Sequence, residues 1–153
     1  MLTVSRRLPP DATAVVAATL SLTAEERTRS RHSFQADPGL WVHLHLPRGT
    51  VLAHGDLLAP AEADPVVRVV AKPEPVMTVR ATNGLDLLRA AYHLGNRHIS
   101  LEVAPSHLRL SPDPVLQQML EQMGLTVVDE VCPFQPEAGA YASPSASSMG
   151  HRH

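Results

Sequence analysis

The chain has 153 residues, of which 44 % are apolar and 18 % charged, with a formal net charge of −2. That is globular composition, and it supplies no basic field to hold nucleic acid or an anionic membrane. Cys132 stands alone, so no internal disulfide is available and a reducing compartment fits. The N-terminus lacks the apolar core and small-residue cleavage site of a secretory signal, and no apolar run is long enough to span a bilayer; the expected location is the cytoplasm.

From Leu2 to Ala71 the dominant pattern is alternation, which predicts strands. Thr19 to Leu22 alternates, a Thr23-Ala-Glu-Glu turn follows, and Arg27, Arg29 and Arg31 are expected on one strand face. Leu40, Val42, Leu44 and Leu46 form one face of a strand, with Trp41, His43 and His45 on the other. Asp37-Pro38-Gly39, Pro47-Arg48-Gly49 and His54-Gly55-Asp56 read as turns, and Val66 to Ala71 as a final strand. Residues 1–72 are expected to form a small all-β domain, a surface suited to a protein or peptide partner. Lys72-Pro73-Glu74-Pro75 reads as a stiff, extended linker.

Beyond it the period changes. Val76 to Ala81 predicts a strand, and Asn83 caps a helix whose expected core stripe is Leu85, Leu88, Ala91 and Tyr92, with Gly95 as its terminator. Ile99, Leu101 and Val103 predict a short strand, Leu108 and Leu110 another. Asp113 and Pro114 open a second helix whose expected core face is Val115, Leu116, Met119, Leu120 and Met123, ended by Gly124. Thr126 to Val131 is the last strand. The order β-α-β-β-α-β is that of the ferredoxin-like fold, so the chain is expected to be α+β, with this second domain over residues 76–135. From Pro136 to residue 153 the periodicity disappears, and the small, polar composition predicts a flexible tail ending Gly150-His151-Arg152-His153.

The chemistry-bearing motifs are few. The chain contains no G-x-G-x-x-G, no phosphate loop, no G-x-S-x-G elbow, no H-E-x-x-H and no Cys-x-x-Cys. What it has is nine histidines. His151 and His153 form a His-x-His pair on the tail, where neutral imidazoles can wrap onto Ni²⁺, Zn²⁺ or Cu²⁺ held elsewhere, or serve no purpose at all. His98 sits at a helix–strand junction, a place where one histidine alone is more commonly an exposed or hydrogen-bonded side chain than a ligand. His93 in the last helical turn suits the helix dipole. His43 and His45 are an i, i+2 pair on a solvated strand face.

The segment Leu87-Leu-Arg-Ala-Ala-Tyr-His-Leu-Gly-Asn-Arg-His98 resembles the signature of the urease accessory metallochaperone family, UreE. So do Leu108-Arg-Leu, Asp113-Pro-Val-Leu-Gln-Gln-Met-Leu120, Gly124-Leu and Pro133-Phe-Gln-Pro-Glu-Ala-Gly-Ala-Tyr141. At the front, Leu22-Thr-Ala-Glu-Glu-Arg-Thr-Arg-Ser-Arg-His-Ser-Phe34 and Leu46-Pro-Arg-Gly-Thr-Val-Leu52 are similar to the family's N-terminal domain. The resemblance implies a homodimer meeting through the C-terminal domains, with His98 binding nickel near the two-fold axis and His151 and His153 completing its coordination. It also implies delivery of nickel to a urease activation complex through a partner GTPase, and no catalytic residues. Two-fold symmetry would supply the second ligand that one His98 lacks. An all-imidazole site does not by itself reject Cu²⁺ or Zn²⁺.

The chain departs from the family pattern in two ways. Its tail carries just two histidines, and Ser111-Pro-Asp-Pro stands where some members have an auxiliary histidine pair. Two other functions compete with the carrier: a protein–protein adaptor built on the β domain, and a His98-centred metal hydrolase with an open coordination position.

Overall fold

A computed structural model of the chain describes residues 1–139. These fall into two units, Met1–Lys72 and Pro73–Ala138, and the architecture is α+β. Among the described residues no helix is long and apolar enough to cross a membrane.

The first unit is built from two sheets. Strands β1 (Leu2–Val4), β4 (Ser33–Gln35) and β5 (Trp41–Leu44) form one, in the order β1-β5-β4, with β1 parallel to β5. Strands β2 (Arg6–Leu8), β3 (Ala18–Leu22), β6 (Leu57–Ala59) and β7 (Val67–Ala71) form the other, in the order β2-β6-β7-β3, with β3 parallel to β7. Alternation aims Val4, Val42 and Leu44 from the first sheet and Leu20, Leu22, Leu58, Val67 and Val69 from the second into one core. Leu40 was expected on the buried face of β5 but is exposed. It precedes the strand, and its carbonyl accepts the Ala36 N–H (2.8 Å) to close the turn.

The expected arginine face does not form. Thr23 and Glu26 make a capping box: the Thr23 N–H donates to Glu26 Oε1 (2.9 Å) and the Glu26 N–H to Thr23 Oγ1 (3.2 Å). This nucleates a 3₁₀ turn over Glu26–Thr28 where a strand was expected. Arg27 is buried there, its guanidinium donating to the Leu22 carbonyl at 2.8 Å.

The second unit runs β8 (Pro73–Arg80), α1 (Gly84–Asn96), β9 (Glu102–Val103), β10 (Leu108–Leu110), α2 (Pro114–Gln122) and β11 (Thr126–Pro133). Its sheet has the order β11-β8-β10-β9 with every pair antiparallel, the split β-α-β arrangement of the ferredoxin-like fold. Both helices pack on one face, where Ala90, Leu94, Leu116 and Leu120 meet Met77, Val79, Leu108 and Leu110. Pro73-Glu74-Pro75 was expected to be a linker but belongs to β8, paired with Val131–Pro133. There β8 has no partner on its other side, so the missing proline N–H groups break no ladder. The last strand likewise extends to Pro133, and the chain stays tied beyond Pro136: Phe134 is buried and the Glu137 N–H donates to the Leu101 carbonyl at 2.8 Å.

On the outer face of this sheet a polar cluster covers β8. Arg109 donates to Thr78 Oγ1 at 3.0 Å and to Glu102 Oε2 at 3.3 Å, and the Thr78 hydroxyl donates in turn to Glu130 Oε1. This explains how Thr78 is fully buried without an unsatisfied hydroxyl.

Candidate metal centre

Helix α1 begins as expected. Asn83 Oδ1 accepts the Asp86 N–H at 2.9 Å, and its amide donates back to Asp86 Oδ2 at 3.1 Å. Of the face it was expected to bury, Ala91 alone packs on the core. Leu87, Ala90, Ala91 and Leu94 meet the core, while Leu85, Leu88 and Tyr92 are 55 %, 69 % and 69 % exposed. At about 100° per residue both sets are valid helical stripes on nearly opposite sides, and the sequence carries both. Small Ala90 lets the helix approach the sheet, so that stripe goes inward. Leu85, Leu88 and Tyr92 form an apolar ridge facing outward. Val115 on α2, also expected in the core, is exposed as well.

The C-terminus of α1 also departs from expectation. Gly95 does not end the helix, which continues to Asn96 with Arg97 as its cap. The His98 N–H donates to the Gly95 carbonyl (3.0 Å) and the Ile99 N–H to the Leu94 carbonyl (3.2 Å). This is a Schellman motif with His98 in the left-handed position, at φ 57°, and with Ile99 packed on the cluster that holds Leu94. His98 is the sole non-glycine residue with positive φ among the described residues. Glycine adopts that conformation freely, whereas a residue with a β-carbon gives up roughly 1 kcal/mol to hold it. Because this turn takes residues 97–100, the expected strand from Ile99 shrinks to Glu102–Val103.

The imidazole of His98 is exposed, so its ring nitrogens are open to a ligand. Other histidines of the described residues are differently placed. His93 is exposed, its ring edge-on to Tyr92 with centroids 5.3 Å apart. His54 Nδ1 accepts the Ala71 N–H at 3.0 Å. His107 Nε2 lies 3.7 Å from Glu102 Oε2, and His32 packs on Phe34. Among the described residues no group of three or more His, Cys, Asp or Glu side chains could enclose a metal. A closed site at His98 therefore needs donors from outside one copy's described residues. His151 and His153 lie outside the described residues.

Both halves of the chain match a family model: residues 4–72 the N-terminal domain of the UreE urease accessory protein, and residues 74–153 its C-terminal domain. Among curated relatives, a urease accessory protein UreE from Nostoc punctiforme is 57 % identical over 92 % of this chain and 95 % of its own length. One from another Nostoc strain is 51 % identical over 100 % and 99 %, and one from Pseudomonas putida 48 % over 94 % and 86 %. With both halves matched and full-length relatives sharing one description, the chain belongs to the UreE family of urease accessory proteins, and is an accessory protein, not an enzyme.

Proposed function

We propose that this protein is a cytoplasmic nickel carrier that works as a homodimer and delivers Ni²⁺ to the urease activation complex through a partner GTPase. The observation that carries the proposal is the backbone of His98. A left-handed, exposed histidine stands where glycine would be more stable, which supports a role for the imidazole itself. In this reading His98 of each copy ligates one shared ion, and His151 and His153 complete the coordination.

The outward ridge of Leu85, Leu88 and Tyr92 supports the dimer. Three large apolar side chains on one helix stripe are a surface that a second copy would cover, and His98 directly follows the cap of that helix. A two-fold axis near the end of α1 would then supply two imidazoles to one point. The half-buried free Cys132 is compatible with a reducing cytoplasm. Imidazole chemistry admits Cu²⁺ and Zn²⁺ at the same site, and the choice of nickel comes from the family resemblance.

Equilibrium dialysis of the full-length chain against Ni²⁺ tests the proposal, with sedimentation to give the oligomeric state. A dimer that saturates with a tightly held ion shared by two chains is expected. A monomer, or a chain with no saturable nickel binding, would overturn it.

A further inference from the structure

The outer face of the three-stranded sheet carries a histidine pair far removed in sequence from His98. His43 lies in β5 and His45 one residue past its end, and both project opposite to the buried Val42 and Leu44. The backbone under them is fixed on both sides. The His45 N–H donates to the Val4 carbonyl at 2.9 Å and the Leu46 N–H to the Ser30 carbonyl at 3.0 Å, so the ladder holds beyond Leu44. The two imidazoles lie side by side, centroids 6.4 Å apart and planes inclined by 26°.

His43 also has an orienting partner. Ser33, its register neighbour on β4, places Oγ 3.0 Å from His43 Nδ1. With the Nδ1–H donating to that hydroxyl, the Nε2 lone pair is left free. A hydrogen-bond acceptor behind one ring nitrogen is the usual support of a metal-binding histidine, since it fixes both the tautomer and the ring. His45 is exposed and turns on its own χ angles to meet an ion held by His43. Arg31 donates through Nε to the Leu46 carbonyl at 3.2 Å, next to His45, and its charge limits the affinity for a second cation.

We propose that His43 and His45 form a two-imidazole site for a divalent cation of borderline softness, such as Cu²⁺, Ni²⁺ or Zn²⁺, oriented by Ser33 and independent of His98. Two protein donors leave the remaining coordination positions to water or to a partner's groups, so the site holds its ion weakly and exchanges it readily.

Trp41, the chain's single tryptophan, lies on the same sheet face two residues before His43 and reports on the site directly. The experiment uses the full-length chain carrying His98→Ala, His151→Ala and His153→Ala, titrated with Cu²⁺ while tryptophan emission is followed. Saturable quenching at one ion per chain is expected. Adding His43→Ala and His45→Ala should leave only weak, linear quenching, and Ser33→Ala should raise the half-saturating concentration by roughly tenfold. If the double variant fails to fold, His45→Gln at its exposed position carries the same test. Saturable quenching that survives loss of these histidines, or linear quenching while both are present, would overturn the proposal.

Discussion

His98 and Gly124 occupy the same position in the two helices of the C-terminal unit. Each follows the helix cap, each has positive φ (57° and 89°), and each donates its N–H to the carbonyl three residues back, Gly95 and Glu121 respectively. The following residues, Ile99 and Leu125, donate to Leu94 and Leu120 in the same way. One helix ends with the residue the backbone prefers and the other with a histidine.

Replacing His98 by glycine should therefore stabilise the unit by about 0.5 kcal/mol, the strain relief less the added freedom of the unfolded chain. Gly124→Ala should do the reverse by about 1–2 kcal/mol. Urea denaturation of each variant measures both effects. In the carrier reading the more stable His98→Gly protein loses its tight nickel site, so stability and binding move in opposite directions.

Leu88 is 69 % exposed in the centre of the outward ridge of α1. If that ridge is the proposed dimer contact, Leu88→Glu should leave the fold unchanged and give a monomer, read as a halved mass in sedimentation. Leu120→Ala, four residues along α2 from Leu116 and fully buried, should instead cost about 2–5 kcal/mol of stability.

Nickel affinity should fall with acid. Neutral imidazole is the ligand form and its ordinary pKa is about 6.5, so each histidine donor competes with a proton below that value. Two to four such donors lower affinity by roughly two to four powers of ten per pH unit well below it. Titrations between pH 7.5 and 5 check this, and a flat affinity would exclude histidine ligands.

Asp56 in the first unit and Glu130 in the second should make opposite contributions to the pH dependence of stability. Burial raises the Asp56 pKa above its ordinary 3.8, against the opposing pull of the Ala53 N–H and Arg7. Its contribution is thus full below about 3.8 and is lost as pH rises through the raised value. The Thr78 hydroxyl, first, holds Glu130 below its ordinary 4.5. Its contribution is present above 4.5 and is lost as pH falls through the lowered value. Asp56→Asn should remove the first dependence and Glu130→Gln the second, measured by denaturation across the acid range.

Strands β3, β5 and β7, the strands of the second unit and both helix starts were legible because alternation and caps are local signals. Val42 and Leu44 went inward as their spacing required, and Asn83 and Asp113 cap the helices they precede. The buried face of α1 was not legible. Two stripes share the helical period, Leu85, Leu88 and Tyr92 on one side and Leu87, Ala90 and Leu94 on the other with Ala91 between them, and each carries two leucines, so the period alone does not choose. Size matching against the sheet, a tertiary property, made the choice. The end of α1 did carry a signal, since Ile99 stands five residues after Leu94, the apolar spacing of a Schellman motif. Gly95 is the stronger single-residue stop signal and masks it, although the helix runs on to Asn96 and His98 takes the left-handed position.

The most direct test of the carrier account is a calorimetric Ni²⁺ titration of the full-length chain beside its His98→Ala variant. If His98 from each copy ligates one shared ion, the variant loses two donors at once. The tightest binding phase should then disappear while the circular dichroism and the oligomeric state stay those of the unsubstituted chain. A high-affinity phase unchanged in the variant would contradict the account, and nickel would have to be held elsewhere in the chain.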